Sequence, residues 1–326
     1  MKKITVMILA LLIVFTLTGC GDDTPQGENV IYTTVYPMQF LVEKIGGNTV
    51  TVERVPGSTM HSHDDTIAFS AKDQINMINA DLLFYVDGGL DTYIPNLEET
   101  VFKDGHVELV NVSDFVTYAE VCYSHDHTHE DEDHEDETYV EEPCDVNALS
   151  EDPHFWLDPK RMLDALELVK DKLIVMYPEN SELYNNNYTV LKASLEKLDQ
   201  DFQDMADLAT KPIITTTLLF NYFNEAYDIE ILSLTTSVHT SEVDPGSIID
   251  IVNQAVVNEI HYIVFEKNSN FPTAEEVLTQ LQEQDSTAQK VELHALGNLT
   301  QDEIDNGATY LSIMLENLAI LEEATK

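Results

Sequence analysis

The chain has 326 residues, of which 43% are hydrophobic, which is enough for two ordinary domains with buried cores. Sixty acidic residues stand against sixteen basic ones, for a formal net charge of −44 at pH 7. This balance excludes nucleic-acid backbones as partners, because phosphate binding needs a basic face, and it disfavours anionic lipid. It suits a protein that handles cations, although acidity alone also keeps a protein soluble or reflects a salty habitat.

The first segment, 1–19, is typical of a lipoprotein signal peptide. A basic start is followed by an apolar run, Ile4 to Leu17, that is too short to span a bilayer comfortably. The run ends in Leu-Thr-Gly-Cys, which resembles a bacterial lipobox and predicts lipidation of Cys20. Residues 20–29 then form a polar tether. We therefore expect an extracytoplasmic protein that is lipid-anchored to the outer face of the bacterial cell membrane.

Residues 30–178 predict an N-terminal α/β lobe. The expected order is a strand over 30–35, a helix over 39–45, a strand over 50–55, a helix over 71–80 and a buried strand over 82–86. A loop that carries His61 and His63 separates the second strand from the second helix. The β–α–β order favours a parallel sheet with helices on its faces.

A loop over 123–143 interrupts this lobe. Within it, residues 125–137 hold four histidines among eight carboxylates and no apolar residue, so the segment has nothing to bury. The histidines are His125, His127, His129 and His134. Neutral imidazole binds borderline metals such as zinc, and the carboxylates raise the local cation concentration, which predicts an accessory metal loop. The alternative is a solvated charge run without a function.

Two further cysteines, Cys122 and Cys144, bracket the His/acid loop. In an oxidising compartment an even pair suggests a disulfide, which would pin the two ends of the loop. Two buried thiols or two soft metal ligands are the alternatives, because the sequence does not give the Cα separation.

The next segment predicts one long helix. After Pro178, apolar residues recur at three- and four-residue steps, which indicates a connecting helix over 179–209. If about 28 residues are helical, the helix is about 42 Å long, more than one domain core needs. A rigid connector across two lobes fits that length better than a coiled-coil strut.

Residues 210–326 predict a C-terminal lobe with the same α/β rhythm. Strands are expected over 212–217, 229–234, 260–265 and 290–293, and helices over 218–227, 247–258, 273–284 and 308–324. Two lobes joined by one helix leave a cleft, and ligands of open α/β sheets lie at the carboxyl ends of the strands.

The sharpest motif of the chain is Asp-Pro-His-Phe-Trp-Leu-Asp-Pro over 152–159. His154 is its metal-binding candidate. Trp156, the single tryptophan of the chain, would exclude water from one side of the imidazole. Asp152 or Asp158 would accept the other ring N–H and fix the tautomer, as carboxylates do for metal-bound histidine. The alternative is a histidine that only packs near a helix start.

This motif is similar to one in the zinc and manganese ABC-transporter solute-binding lipoproteins. The order of lipobox, Pro-Gly-x-x-x-His, His/acid loop, this motif and a long helix is similar too, and the resemblance covers essentially the whole mature chain. Further matches lie at 69–73, 220–223, 264–266 and 310–318. The resemblance implies two lobes, each with a parallel sheet flanked by helices, joined by one long connecting helix. It also implies a metal in the interlobe cleft and, from the His-rich loop, a preference for zinc over manganese.

The resemblance assigns two metal ligands to the N-terminal lobe. His154 matches a family ligand directly. The other follows Pro56-Gly57, which gives His61, with His63 close behind because this chain carries a few extra residues before the next matching element. Both of these histidines remain candidates.

The ligands of the C-terminal lobe match the family less well. The family has a histidine where this chain has Thr217, and a neutral threonine is a poor zinc ligand. His239, in a loop after a predicted strand, is the replacement candidate, and a solvent-exposed loop histidine is the alternative. His294 is the candidate for the fourth position, and Glu266 is a rival oxygen donor.

The resemblance implies an extracytoplasmic protein that binds zinc with high affinity and delivers it to an ABC permease. Catalysis is not expected, since the sequence has no His-Glu-x-x-His, Gly-x-Ser-x-Gly or phosphate-binding glycine loop. Two alternatives stay open. One is a manganese-binding homologue with Glu266 or Glu242 in the site, and the other is a surface adhesin or interaction lipoprotein with a degenerate metal site. A metallohydrolase is a more distant alternative.

Overall fold

A computed structural model describes residues 29–57, 67, 69–122, 149–235, 245–285 and 287–326. The predicted signal peptide and most of the tether, with Cys20, lie outside these ranges, as do Cys144 and the histidines of the predicted accessory loop. The predicted disulfide therefore stays a prediction.

The N-terminal lobe contains a four-stranded parallel sheet in the order β2-β1-β3-β4. Its strands are β1 (Val30–Thr33), β2 (Thr51–Arg54), β3 (Leu82–Tyr85) and β4 (Glu108–Asn111). Its helices are α1 (Tyr36–Gly46), α2 (Ala71–Ile78) and α3 (Tyr93–Leu97), the last followed by a π-helical turn over Glu98–Phe102. The capping box of Ser70 and Asp73 begins α2. The sequence analysis does not predict β4 or α3.

A two-stranded hairpin connects this sheet to the rest of the chain. The strands β5 (Ala119–Cys122) and β6 (Leu149–Asp152) are antiparallel, with Ala119 opposite Asp152 and Cys122 opposite Leu149. The backbone pairing therefore brings the two flanks of segment 123–148 side by side, and that segment contains the predicted His/acid loop. The hairpin is a feature that the sequence analysis does not predict.

Two helices form the middle of the chain. They are α4 (Pro159–Met176) and α5 (Ser181–Ala206), and α5 has 26 residues, or about 39 Å at 1.5 Å per residue. Its buried positions include Leu191, Leu195, Leu198 and Phe202, which follow helical spacing. Phe202 stacks on Tyr227 of the C-terminal lobe with ring centroids 5.2 Å apart.

The C-terminal lobe repeats the parallel sheet in the order β10-β9-β7-β8. Its strands are β7 (Ile213–Thr215), β8 (Ile231–Ser233), β9 (Tyr262–Glu266) and β10 (Gln289–Leu293). Its helices are α6 (Tyr222–Tyr227), α7 (Pro245–Val257), α8 (Pro272–Gln284), α9 (Gln301–Asp305) and α10 (Tyr310–Ala324). The predicted two α/β lobes and one long helix are confirmed, with element ends shifted by a few residues.

The largest hydrophobic core extends through both lobes. Its buried side chains come from the first sheet, from α1, α4 and α5, and from α6 and α10 of the C-terminal lobe. Phe40 of α1 packs against Tyr310 of α10, with ring centroids 5.5 Å apart. Because this core is continuous, the two lobes are packed directly against each other.

The carboxyl ends of the two sheets meet. The Tyr36 N–H, just after β1, donates to the Gly297 carbonyl at 2.9 Å, just after β10. Arg54, the last residue of β2, donates from Nη1 to Asn298 Oδ1 at 3.4 Å. The edge at which α/β sheets bind ligands is thus shared by the two lobes. In the part of the chain that is described, we find no helix with the length and apolarity needed to cross a membrane.

Candidate metal centre

His154 lies between the hairpin and α4. Strand β6 ends at Asp152, Pro153 follows, and a 3₁₀ turn over Phe155–Leu157 leads to Asp158, which caps α4 by accepting from the Lys160 N–H at 2.8 Å. The proline-bounded turn fixes the backbone on both sides of the histidine. Only 2% of His154 is exposed.

Asp152 orients the His154 ring. Its Oδ1 accepts both the His154 backbone N–H at 2.9 Å and the ring Nδ1–H at 2.6 Å. This contact assigns the proton of the neutral imidazole to Nδ1 and leaves Nε2 with a free lone pair, as in carboxylate–histidine–metal arrangements. The predicted tautomer-fixing carboxylate is therefore Asp152, whereas Asp158 pairs with Arg161.

Trp156 closes one side of the imidazole. Its ring meets that of His154 edge-on, with centroids 5.2 Å apart, as the sequence analysis predicts. The indole Nε1–H donates to the Ala295 carbonyl at 2.8 Å, and Tyr310 donates from its hydroxyl to the Trp156 carbonyl at 2.7 Å. Both partners belong to the C-terminal lobe. The segment that carries His154 is thus bonded to both lobes.

Glu266 is the last residue of β9 and is 2% exposed. Its backbone N–H donates to Thr216 Oγ1 at 3.2 Å, which ties it to the end of β7. Burial raises the pKa of Glu266 to about 7, and the positive charge of a protonated His154 opposes that rise. A carboxyl from one lobe and an imidazole from the other are therefore within electrostatic range of each other. A divalent cation beside them would favour the ionised carboxylate.

His294 has different surroundings. It follows β10 and is 5% exposed, and its Nδ1 accepts the Leu296 N–H at 2.8 Å. The ring proton therefore lies on Nε2, which is 3.3 Å from Glu303 Oε1. Asn317 holds the His294 backbone through two hydrogen bonds of 2.9 Å. Burial lowers the pKa of His294, and the charge of Glu303 opposes that change.

Thr217 lies at the carboxyl end of β7 and is 4% exposed. Its Oγ1 accepts the Leu219 N–H at 3.4 Å, and its carbonyl accepts the Thr215 hydroxyl at 3.0 Å. These bonds make Thr217 the cap of the 3₁₀ turn that leads to α6. This capping role within the local backbone accounts for the position of the Thr217 side chain.

The comparisons with known proteins decide the family. The sequence matches a family model described as zinc-uptake complex component A, periplasmic, over residues 31–324. The chain belongs to this family. The resemblance that the motifs indicate is confirmed. Members of this family are components of zinc-uptake complexes.

Two relatives and one solved structure describe the likeness. The zinc-binding lipoprotein AdcA of Streptococcus pneumoniae (strain ATCC BAA-255 / R6) is 25% identical over 329 residues, which cover 100% of this chain and 61% of AdcA. This chain thus spans about three-fifths of the length of AdcA. The high-affinity zinc uptake system protein ZnuA of Bacillus subtilis (strain 168) is 25% identical over 316 residues, which cover 94% of this chain and 93% of ZnuA. The Zn(II)-bound ZnuA-like domain of Streptococcus pneumoniae AdcA has a TM-score of 0.69 at 23% identity and covers 92% of this chain and 99% of the domain, which supports the fold.

For this member of the zinc-uptake component A family, the structure places two of the predicted ligands, His154 and Glu266, within electrostatic range of each other. The described contacts of His294 lead instead to Leu296, Glu303 and Asn317. The other predicted donors lie outside the described residues: His61, His63, His239 and Glu242. Within the described ranges, no three His, Cys, Asp or Glu side chains come together as a metal site.

Two residues next to the centre are missed by the sequence analysis as functional positions. Tyr222 and Arg161 bind the segments on either side of His154. Tyr222 belongs to a stretch that matches the family, which is the one sequence signal that points to it. Arg161 follows the motif by two residues and carries no signal without the structure.

Proposed function

We propose that this protein captures Zn²⁺ outside the cell membrane and delivers it to the permease of an ABC transporter. The observation that carries this proposal is the buried His154–Asp152 pair, with Nδ1 and Oδ1 2.6 Å apart. A surface histidine needs no such carboxylate, whereas a metal-binding imidazole gains basicity and a fixed tautomer from it. Family membership and the names of the relatives support the choice of zinc.

We propose His154 Nε2 and Glu266 as ligands from the two lobes. His61 or His63 would be the second ligand from the N-terminal lobe. His239 would supply the imidazole that the family has at the position of Thr217. A set of two or three imidazoles and one carboxylate is chemically suited to zinc, which accepts both donor types at about 2.0–2.2 Å. His294 is the weaker candidate, because its Nδ1 is occupied by Leu296 and its Nε2 carries the proton.

The role is capture and release rather than catalysis. We propose that the His/acid loop collects metal as an accessory site and that Cys20 carries the lipid anchor. The net charge of −44 concentrates cations near the protein surface and speeds their capture. The permease that would receive the metal is the expected protein partner.

Manganese is a second candidate, and Glu266 is the observation that favours it. A buried carboxylate next to a single oriented imidazole is a harder donor pair than an all-histidine set, and carboxylate oxygen suits Mn²⁺. The two metals give distinct outcomes in competition, because an imidazole-rich site binds Zn²⁺ more tightly than Mn²⁺ by the general order of divalent metals.

The test is a metal titration against a chromogenic chelator, on protein without the tether and with residues 124–138 deleted. We expect one tightly held Zn²⁺ per chain in this protein and loss of that site in His154→Ala. Competition with Mn²⁺ is run in the same assay. Tight one-to-one binding of Mn²⁺ with weak Zn²⁺ would favour the second candidate.

The matched control is His261→Ala. His261 also faces a carboxylate, with Nδ1 2.5 Å from Asp285 Oδ2, but its side chain is 39% exposed, and it precedes β9 at the opposite end of that strand from Glu266. This variant should keep the wild-type zinc stoichiometry. Absence of a tight site in the loop-deleted protein would overturn the proposal and favour an interaction lipoprotein with a degenerate site.

A further inference from the structure

The hydroxyl of Tyr222 bridges the two strands that precede His154. Ala119 and Asp152 are opposite each other at the end of the β5–β6 ladder. The Ala119 N–H donates to Tyr222 Oη at 3.0 Å, and Tyr222 Oη donates to the Asp152 carbonyl. A side chain from α6 of the C-terminal lobe thus provides the last link of a hairpin in the N-terminal lobe.

This link reaches the residue that orients the metal-binding imidazole. The carbonyl of Asp152 accepts from Tyr222, and the carboxylate of Asp152 accepts from His154. Tyr222 and Asp152 are both fully buried. A displacement of α6 would therefore move the backbone of Asp152, and with it the acceptor that fixes the His154 ring.

A second contact ties α6 to the segment that follows His154. Arg161 of α4 donates through Nη1 and Nη2 to Glu225 at 2.7 and 3.0 Å, a bidentate pair. Nη1 also donates to Asp158 Oδ2 at 2.6 Å, and Nε donates to the Thr117 carbonyl at 2.8 Å. Arg161 is thus bonded to the cap of its own helix, to the chain before β5 and to the C-terminal lobe.

The two contacts lie on one face of α6. Tyr222 and Glu225 are three residues apart, which is nearly one helical turn, and the Arg161 guanidinium lies 5.1 Å from the centroid of the Tyr222 ring. One contact ends at Asp152, two residues before His154, and the other at Asp158, four residues after it. The histidine is thus held between two points: Asp152 is bonded directly to α6 of the C-terminal lobe, and Asp158 is linked to α6 through Arg161.

We propose that Tyr222, Arg161 and Glu225 form an interlobe clasp that positions His154 and limits the rate at which bound metal leaves. The inference rests on the proposed capture of metal in the cleft. Release requires ligands of the two lobes to separate, and the clasp resists that separation at the segment that carries the N-terminal ligand. The clasp residues are positioning residues, because none of them is placed on the metal.

The test uses the full mature chain loaded with Zn²⁺ alone, and it measures dissociation by stopped flow against an excess of chelator. The slow phase that is absent in His154→Ala reports the cleft. Tyr222→Phe keeps the ring and removes only the hydroxyl, which leaves two buried backbone groups without that partner. Leaving a buried backbone group without its partner corresponds to roughly a 5- to 150-fold change in an equilibrium or rate. We expect dissociation to accelerate by that factor and association to change by less than about twofold.

The matched control is Tyr227→Phe. Tyr227 is on the same helix, is 7% exposed, and donates its hydroxyl to Asp199 of α5 at 3.1 Å instead of to the hairpin. Its loss removes a comparable hydrogen bond without touching the His154 segment. We expect a similar loss of unfolding free energy in the two variants, but faster metal dissociation only in Tyr222→Phe.

Glu225→Gln tests the second half of the clasp and keeps the proposal testable if Tyr222→Phe does not fold, because Glu225 is 40% exposed. It should also accelerate dissociation, and the double variant should deviate from additivity because the two residues share the clasp. Wild-type dissociation rates in both single variants would overturn the clasp. A wild-type chain without any tight Zn²⁺ would instead overturn the proposed function, and the clasp with it.

Discussion

His154 and Asp152 are joined by a buried hydrogen bond in which Nδ1 of the imidazole lies 2.6 Å from Oδ1 of the carboxylate. Asp152→Asn keeps an acceptor of the same shape but removes the negative charge. Because a neutral amide makes the imidazole a weaker donor to metal, we expect zinc affinity to fall by about 10- to 100-fold. The measurement is chelator competition on the loop-deleted protein.

Asp285→Asn is the control for this change. The His261–Asp285 pair has nearly the same geometry, 2.5 Å between Nδ1 and Oδ2, but both side chains are partly exposed. Zinc affinity should match that of the wild type in this variant. Equal affinities in Asp152→Asn and Asp285→Asn would contradict the orienting role of Asp152.

His294→Ala separates a structural histidine from a metal ligand. The Nδ1 of His294 accepts the Leu296 N–H, and the residue is 5% exposed, so its removal leaves a buried donor without this acceptor. We expect the unfolding free energy to fall by about 1–3 kcal/mol and zinc affinity to stay within about twofold of the wild type. Urea denaturation and chelator competition give the two numbers. A large loss of affinity at unchanged stability would establish His294 as a ligand after all.

The fold follows from patterns that lie within single segments. The apolar stripe of α5 and the alternation of short apolar runs with amphipathic helices predict two α/β lobes and their long connector, because burial of one helix face or one strand is decided locally. Strand β4 and the β5–β6 hairpin escape prediction, since their sequences carry acidic residues and their pairing depends on partners far along the chain.

The candidate metal centre is likewise predicted only where its residues lie close together in the sequence. His154, Asp152 and Trp156 are predicted because they lie in one eight-residue motif, and the motif itself fixes the turn that aligns them. The roles of Tyr222 and Arg161 depend on α6 packing beside a hairpin more than 60 residues away in sequence, as the Tyr222–Asp152 separation of 70 shows. No local pattern contains that contact.

Thr217→His places an imidazole at the carboxyl end of β7. In the sheet, β7 is adjacent to β9, which ends in Glu266, and is two strands away from β10. The capping bond that it removes is long, at 3.4 Å, so its loss costs little. If the centre lacks a donor at this position, zinc affinity should rise by about tenfold or more, since each added imidazole contributes a metal bond. Thr217→Ala, which removes the hydroxyl without adding a donor, is the control and should bind zinc as the wild type does. Weaker binding in Thr217→His would mean that the position is closed to a ligand.

Asp91 should make stability depend on pH. The side chain is 4% exposed and accepts from Thr34 Oγ1 and, at 2.8 Å, from the Val86 N–H. Burial nevertheless raises the pKa of Asp91 from 3.8 to about 6, while those hydrogen bonds and the charge of Arg54 oppose the rise. The folded chain therefore holds this proton more tightly than the unfolded chain does. The resulting stabilisation is complete below about pH 3.8 and is lost as the pH rises through about 6.

Asp91→Asn removes that titration. A pKa change from 3.8 to about 6 corresponds to roughly 3 kcal/mol, so the unfolding free energy of the variant relative to the wild type should increase by up to this amount between pH 4 and pH 7.5. Urea denaturation at the two pH values, in the presence of a chelator, measures the difference. The sign of this change is decisive. If Arg54 stabilised the ionised carboxylate, the unfolding free energy of the variant relative to the wild type would instead decrease as the pH rises. A difference that does not change with pH would mean that Asp91 holds its proton equally in the folded and unfolded chains.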